Sequence, residues 1–133
     1  MAKLPIVADY MARFTHALRP EMDIYDAVDF LLERRVTGAP VVDVEGRLVG
    51  LLSEKDCLRL FSVGADALPP RGAVRDFMGK QFTRVESTMD IYYAAGLFLR
   101  EEERRFPVVD VEGKLVGEIT RFDILRAVKG LLR

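Results

Sequence analysis

Three observations predict an α/β (α+β) fold made of two tandem units, each running strand, helix, strand, strand, helix, packed about a pseudo-twofold axis. A shift of 67 residues superposes the two halves of the 133-residue chain without a gap, with 22 identities over the 55 positions compared (7–61 against 74–128). Within each half, apolar residues recur at helical spacing, then fall in two short runs joined by a glycine turn, then return to helical spacing. A unit of this size buries too little surface to stand comfortably alone, so the copies are expected to pack together and to leave two related clefts between them.

The elements follow in order. A short helix, Val7 to Ala12, precedes the first copy, and Val74 to Gly79 precedes the second. Thr15 to Leu18 and Phe82 to Val85 are candidate first strands. Ile24, Ala27, Val28, Leu31 and Leu32 share one face, so Asp23 to about Arg35 reads as an amphipathic helix with Asp23 capping its start. Ile91, Ala94, Ala95, Phe98 and Leu99 repeat that face. Pro40 to Val44 and Arg47 to Leu52 are short strands joined through Glu45-Gly46, the sign of a hairpin, with Asp43 and Asp110 as turn formers. A second helix runs from Ser53 to about Phe61, and its counterpart starts at Thr120. Residues 62–73, with Gly64, Pro69, Pro70 and Gly72, read as a linker between repeat 1 (7–61) and repeat 2 (74–128).

Composition narrows the function. Twenty Lys and Arg stand against 21 Asp and Glu, and the isoelectric point is 5.9, which counts against nucleic acid and anionic membrane as partners. No apolar run is long enough to span a bilayer, and Met1 to Tyr10 lacks a signal core, so the cytoplasm is the expected compartment. A single cysteine, Cys57, excludes an internal disulfide, and a single histidine, His16, excludes a His-rich metal centre. No phosphate loop and no nucleophile with a plausible base are present, so no enzyme activity, metal or cofactor is expected.

Thr37-Gly-Ala-Pro-Val-Val-Asp43, the Gly-x-Leu-Val-Gly hairpin and Ser53-Glu-Lys-Asp56 resemble the CBS domain. Phe106-Pro-Val-Val-Asp110, Gly113-Lys-Leu-Val-Gly117 and Thr120-Arg-Phe-Asp123 repeat the pattern. The whole chain looks like a free-standing CBS pair, or Bateman module. The resemblance implies a regulatory module that takes AMP, ADP, ATP or S-adenosylmethionine in its clefts, signals to a partner protein and forms a homodimer. The adenine nucleotide would be a regulatory ligand rather than a cofactor. The competing reading is a structural dimerisation module with empty clefts.

The resemblance also directs attention to particular residues. Ser53-x-x-Asp56 and Thr120-x-x-Asp123 sit where a strand gives way to a helix. Free N–H groups there favour a phosphate, and the carboxylate suits a ribose diol; the same spacing also makes a capping box. Val36, Thr37, Gly38, Ala39 and Pro40 form a small-residue approach through which a base reaches the backbone, or Gly38 ends the first helix as a cap. In the second copy Arg104, Arg105, Phe106 and Pro107 take this place, and the guanidiniums suit phosphate. His16 and its counterpart Thr83 fall where the family's chain contributes to the base pocket.

Overall fold

A computed structural model describes residues 4–13, 15–62 and 70–132 of the chain. Its described elements are a 3-10 turn Val7–Asp9, α1 Ile24–Arg34, β1 Gly38–Val42, β2 Leu48–Ser53, α2 Glu54–Ser62, α3 Val74–Phe77, β3 Val85–Glu86, α4 Ile91–Arg100, β4 Arg105–Val109, β5 Leu115–Thr120 and α5 Arg121–Leu132. These make two compact units. One lies within residues 16–82, the other within residues 1–15 and 83–133.

The repeat in sequence and the unit in space are therefore different partitions. The turn Val7–Asp9, which precedes repeat 1, packs with repeat 2. The Val7 N–H donates to the Met89 carbonyl (2.8 Å), and Ala12 and Glu118 exchange backbone bonds (2.9 and 3.0 Å). Helix α3, which precedes repeat 2, packs with repeat 1 through the same bonds displaced by 67: Val74 to Met22 (2.8 Å), and Gly79 with Leu51 (2.8 and 3.0 Å). Val7 on one side, and Val74 and Phe77 on the other, are buried among the apolar residues of the units they join.

Within residues 16–82, β1 and β2 form an antiparallel pair in the register Gly38 to Ser53 and Val41 to Gly50. The predicted first strand shrinks here to a single parallel bridge, Leu18 to Val41. In the other unit the corresponding strand persists as β3, parallel to β4, and the Ser87 N–H donates to the Val109 carbonyl (3.0 Å). The difference has a simple cause. Position 20, the counterpart of Ser87, is Pro20, which has no N–H to extend the ladder. Leu18, Ile24, Ala27, Leu31, Val41 and Leu52 form one core; Val85, Ile91, Phe98, Phe106, Val108 and Ile119 form the other.

Helix α1 starts as predicted, with the Asp23 carboxylate accepting from the Tyr25 N–H (2.8 Å). It does not end at Gly38. Arg35 takes the left-handed conformation (φ 54°), and Gly38 lies inside β1. In both hairpins the turn aspartate does the holding: Asp43 Oδ1 accepts from Glu45 and Arg47 N–H groups (both 2.9 Å), and Asp110 Oδ1 from Glu112 and Lys114 (2.9 and 3.0 Å). Gly46 and Gly113 supply the positive φ those turns need (85° and 81°). Of the predicted linker, residues 63–69 lie outside the described residues. Its end is tied to α1, where the Tyr25 hydroxyl donates to Pro70 and the Ile24 N–H to Gly72.

Candidate functional site

In each unit the hairpin register gathers the candidate residues at one strand–helix junction. Gly38 pairs with Ser53, and the Glu54 N–H at the start of α2 donates to the Thr37 carbonyl (2.8 Å). Thr37, Gly38, Ser53 and Asp56 are thereby adjacent. Their counterparts come together the same way: Arg105 pairs with Thr120, and the Arg121 N–H donates to the Arg104 carbonyl (3.1 Å). The parallel segment carrying Leu18 runs beside β1 and brings His16 to this end of the sheet; the exposed His16 ring stands edge-on to Phe30 (6.3 Å), and Arg34 lies over the same ring (4.4 Å). In the other unit, β3 brings Thr83 to the same end. There Thr83 donates to Glu101 Oε1 (2.6 Å).

The Ser/Thr-x-x-Asp pairs are complete capping boxes. Asp56 Oδ2 accepts from the Ser53 N–H (2.9 Å), and Ser53 Oγ accepts from the Asp56 N–H (3.1 Å). Asp123 Oδ2 accepts from both the N–H (2.8 Å) and the hydroxyl (3.1 Å) of Thr120, whose Oγ1 also accepts from the Asp123 N–H (3.2 Å). Two of the first N–H groups of each helix are thus already taken, at residues 54 and 56 in α2 and at 121 and 123 in α5. Fewer helix N–H groups are therefore free for the expected phosphate dock. Each carboxylate still has Oδ1 outside the box.

The segments leading into β1 and β4 differ. In the first, Val36 and Pro40 are half-buried, and Ala39 faces the core. A Cβ on Gly38 would stand 3.0 Å from the Leu52 carbonyl oxygen, so the missing side chain serves the hairpin itself. In the second, Phe106 is buried (1% exposed), its ring tilted 47° against Phe98 with centroids 4.6 Å apart, and Pro107 is buried beside it. The Phe106 side chain is therefore out of reach of a ligand. Arg104 and Arg105 are exposed; Arg105 pairs with Glu118 (3.4 Å), while Glu101 accepts from Thr83.

Sequence reasoning missed Arg59 and Arg126. The Arg126 Nη2 donates both to Asp123 Oδ1 (2.9 Å) and to the Tyr10 carbonyl (2.8 Å), and its guanidinium lies 6.0 Å from the Tyr10 ring centroid. Arg59 donates to the Phe77 carbonyl, lies 5.5 Å from that ring, and stands 4.0 Å from Asp56 Oδ1. The signal was present: the two arginines coincide under the 67-residue shift, three positions after each aspartate. Cys57 packs beside Asp56 on the partly buried face of α2. Burial, reinforced by the Asp56 charge, pushes its thiol pKa up, so at neutral pH it is protonated and unreactive. Among the described residues no cluster of His, Cys, Asp and Glu suited to a metal ion is found, and no helix is long and apolar enough to cross a membrane.

Comparison with known proteins bears on these junctions. The profile of the CBS domain matches residues 7–63 and again 74–130. The CBS domain-containing proteins CBSX1 and CBSX2 of Arabidopsis thaliana, both named chloroplastic, are 32% and 30% identical over 89% and 96% of this chain. The chain spans 61% and 65% of their lengths. The crystal structure of CBSX2 in complex with AMP superposes with a TM-score of 0.80 at 32% identity, covering 97% of this chain and 99% of that one. The cytosolic domain of the Mg2+ channel MgtE, solved with ATP, gives 0.77 at 29% identity over 92% of this chain and 48% of its own.

Proposed function

Since this chain belongs to the CBS domain family and carries two of its repeats, we propose that it is a regulatory binding module for adenosine-containing nucleotides, not an enzyme. The observation that carries the reading is the convergence, in each unit, of a strand start and a Ser/Thr-x-x-Asp junction whose carboxylate keeps one oxygen outside its capping box. Asp56 and Asp123 accept the ribose hydroxyls there. The backbone from Val36 to Pro40, and at Phe106 and Pro107, reads the base edge beside His16 and Thr83. Arg104 and Arg105 take the phosphate, so the second junction favours a charged tail and the first a more neutral ligand.

Titration calorimetry and thermal melts with AMP, ADP, ATP and S-adenosylmethionine test this. A ligand at about a hundred times its Kd is expected to add roughly 2.7 kcal/mol of stability. Asp123→Asn, which keeps the shape and an acceptor oxygen, is expected to weaken one of the two sites by about tenfold, the loss of one charge-assisted bond. No shift with any of these compounds, or unchanged affinity in Asp123→Asn, overturns the assignment.

A second observation supports assembly with a second copy, the other function read from the sequence. Leu32 on α1 and Leu58 and Phe61 on α2 are 70%, 61% and 91% exposed, and α4 and α5 repeat the feature with Leu99, Phe122 and Leu125. Apolar side chains in such number mark an interaction surface on each unit's helix pair, and a twofold homodimer covers like with like. Light scattering is expected to give twice the chain mass, and Phe61→Glu to raise the dissociation constant at least tenfold. A wild-type mass of one chain at high concentration excludes the dimer.

A further inference from the structure

The same arginine nitrogen that reaches the candidate ribose acceptor in the second unit also grips the lead segment. Arg126 Nη2 has two hydrogens, and both are used: one on Asp123 Oδ1, the other on the Tyr10 carbonyl. Asp123 Oδ2 is filled by the Thr120 N–H and hydroxyl. A vicinal diol needs two acceptor positions, and on Asp123 they lie on Oδ1, where the guanidinium sits. Asp56 differs. Its Oδ2 accepts from the Ser53 N–H, and Arg59 stands 4.0 Å from its Oδ1, beyond hydrogen-bond reach. One junction is open to a diol and the other is closed by a side chain.

We propose that Arg126 is a latch on the second junction: a ligand diol binding Asp123 displaces the guanidinium from Oδ1 and thereby loosens its hold on the segment around Tyr10. Arg126 is a positioning residue in this scheme, since it touches no ligand. The inference rests on the nucleotide reading above and adds regulation to it. Tyr10 leads within six residues to His16, the first residue of the other unit and a candidate member of the other site. Release of the segment is therefore a covalently wired report of occupancy. The exposed setting of Arg126 keeps its ion pair weak enough for a small ligand to break, and the Tyr10 ring, 6.0 Å from the guanidinium, adds only a modest attraction.

Calorimetry with AMP, joined to amide exchange read by mass spectrometry on the full chain, tests the latch. In the wild type, two unequal sites are expected, the weaker one weakened a further tenfold or so in Asp123→Asn, and AMP is expected to speed exchange of the amides at residues 7–12. Arg126→Gln is expected to tighten the weaker site about two- to fivefold, to speed exchange at 7–12 without AMP, and to abolish the AMP-dependent change. Arg126→Lys, which restores the charge, is expected to recover part of it. Arg59→Gln is expected to leave the Asp56 site within twofold. AMP binding that leaves residues 7–12 unmoved, or an Arg126→Gln protein whose weaker site binds less tightly, overturns the latch alone. Failure of every adenosine compound to bind overturns the nucleotide reading and the latch with it.

Discussion

Gly117→Ala is expected to destabilise the chain by about 3 kcal/mol, at the upper end of the usual penalty for overpacking. A Cβ at position 117 would overlap the Ala12 carbonyl oxygen and lie 3.2 Å from the Ala12 carbonyl carbon. Both are backbone atoms, and that oxygen accepts the Glu118 N–H, so no rotamer change relieves the clash. The segment has to withdraw from β5, exposing Val7 and losing its ladder bonds. The matched change Gly50→Ala supplies the contrast. There the first obstacle is the Met78 Sδ at 2.6 Å, a flexible thioether, with the Gly79 carbonyl oxygen at 3.0 Å. Gly50→Ala is therefore expected to cost less than Gly117→Ala. Urea unfolding of both variants measures the difference, and equal losses would show that the Ala12 backbone yields as easily as a methionine.

Phe106→Ala is expected to cost about 3–5 kcal/mol, the range for truncating a buried aromatic. Phe106 is the largest fully buried side chain of the described residues, and its ring packs on Phe98. The first repeat has Ala39 at this register, but with Leu31 where the second has Phe98. The two cores reach the same closure with different volumes, so the alanine tolerated in one leaves a hole in the other. A loss below 1 kcal/mol in urea unfolding would mean that the surrounding helices collapse onto the gap. Since the Phe106 side chain is buried in the core, nucleotide affinity measured well below the unfolding midpoint is expected to change far less than stability.

The features legible in the sequence were those governed by local chemistry. The Asp23 cap, the turn aspartates Asp43 and Asp110 and the capping boxes at Ser53 and Thr120 all depend on residues within four positions of each other. The internal repeat then carried each reading to the other half. Long-range consequences were out of reach. Periodicity says nothing of which repeat a lead turn docks on, so the trade of Val7–Asp9 and α3 between repeats was not foreseen. The left-handed end of α1 falls on Arg35, between the buried Leu31 and Ala39, rather than on a glycine. That the Phe106 side chain packs on Phe98, eight residues away and on another element, is a long-range contact that periodicity does not announce. The competition at Asp123 was invisible because it depends on which hydrogen each donor spends on which oxygen.

The crossed docking of the lead turns separates the piece of chain that evolution copied from the piece that folds. A gene fragment cut at the repeat boundaries, 7–61 or 74–128, carries a turn whose dock has been left behind and a dock whose turn is missing. A fragment spanning 16–82 keeps its dock and its turn on one continuous stretch. The other unit is made of two stretches, before residue 16 and after residue 82, so no single continuous fragment of this sequence carries it without the first. An engineer dissecting this protein should therefore move the scissors by half a repeat.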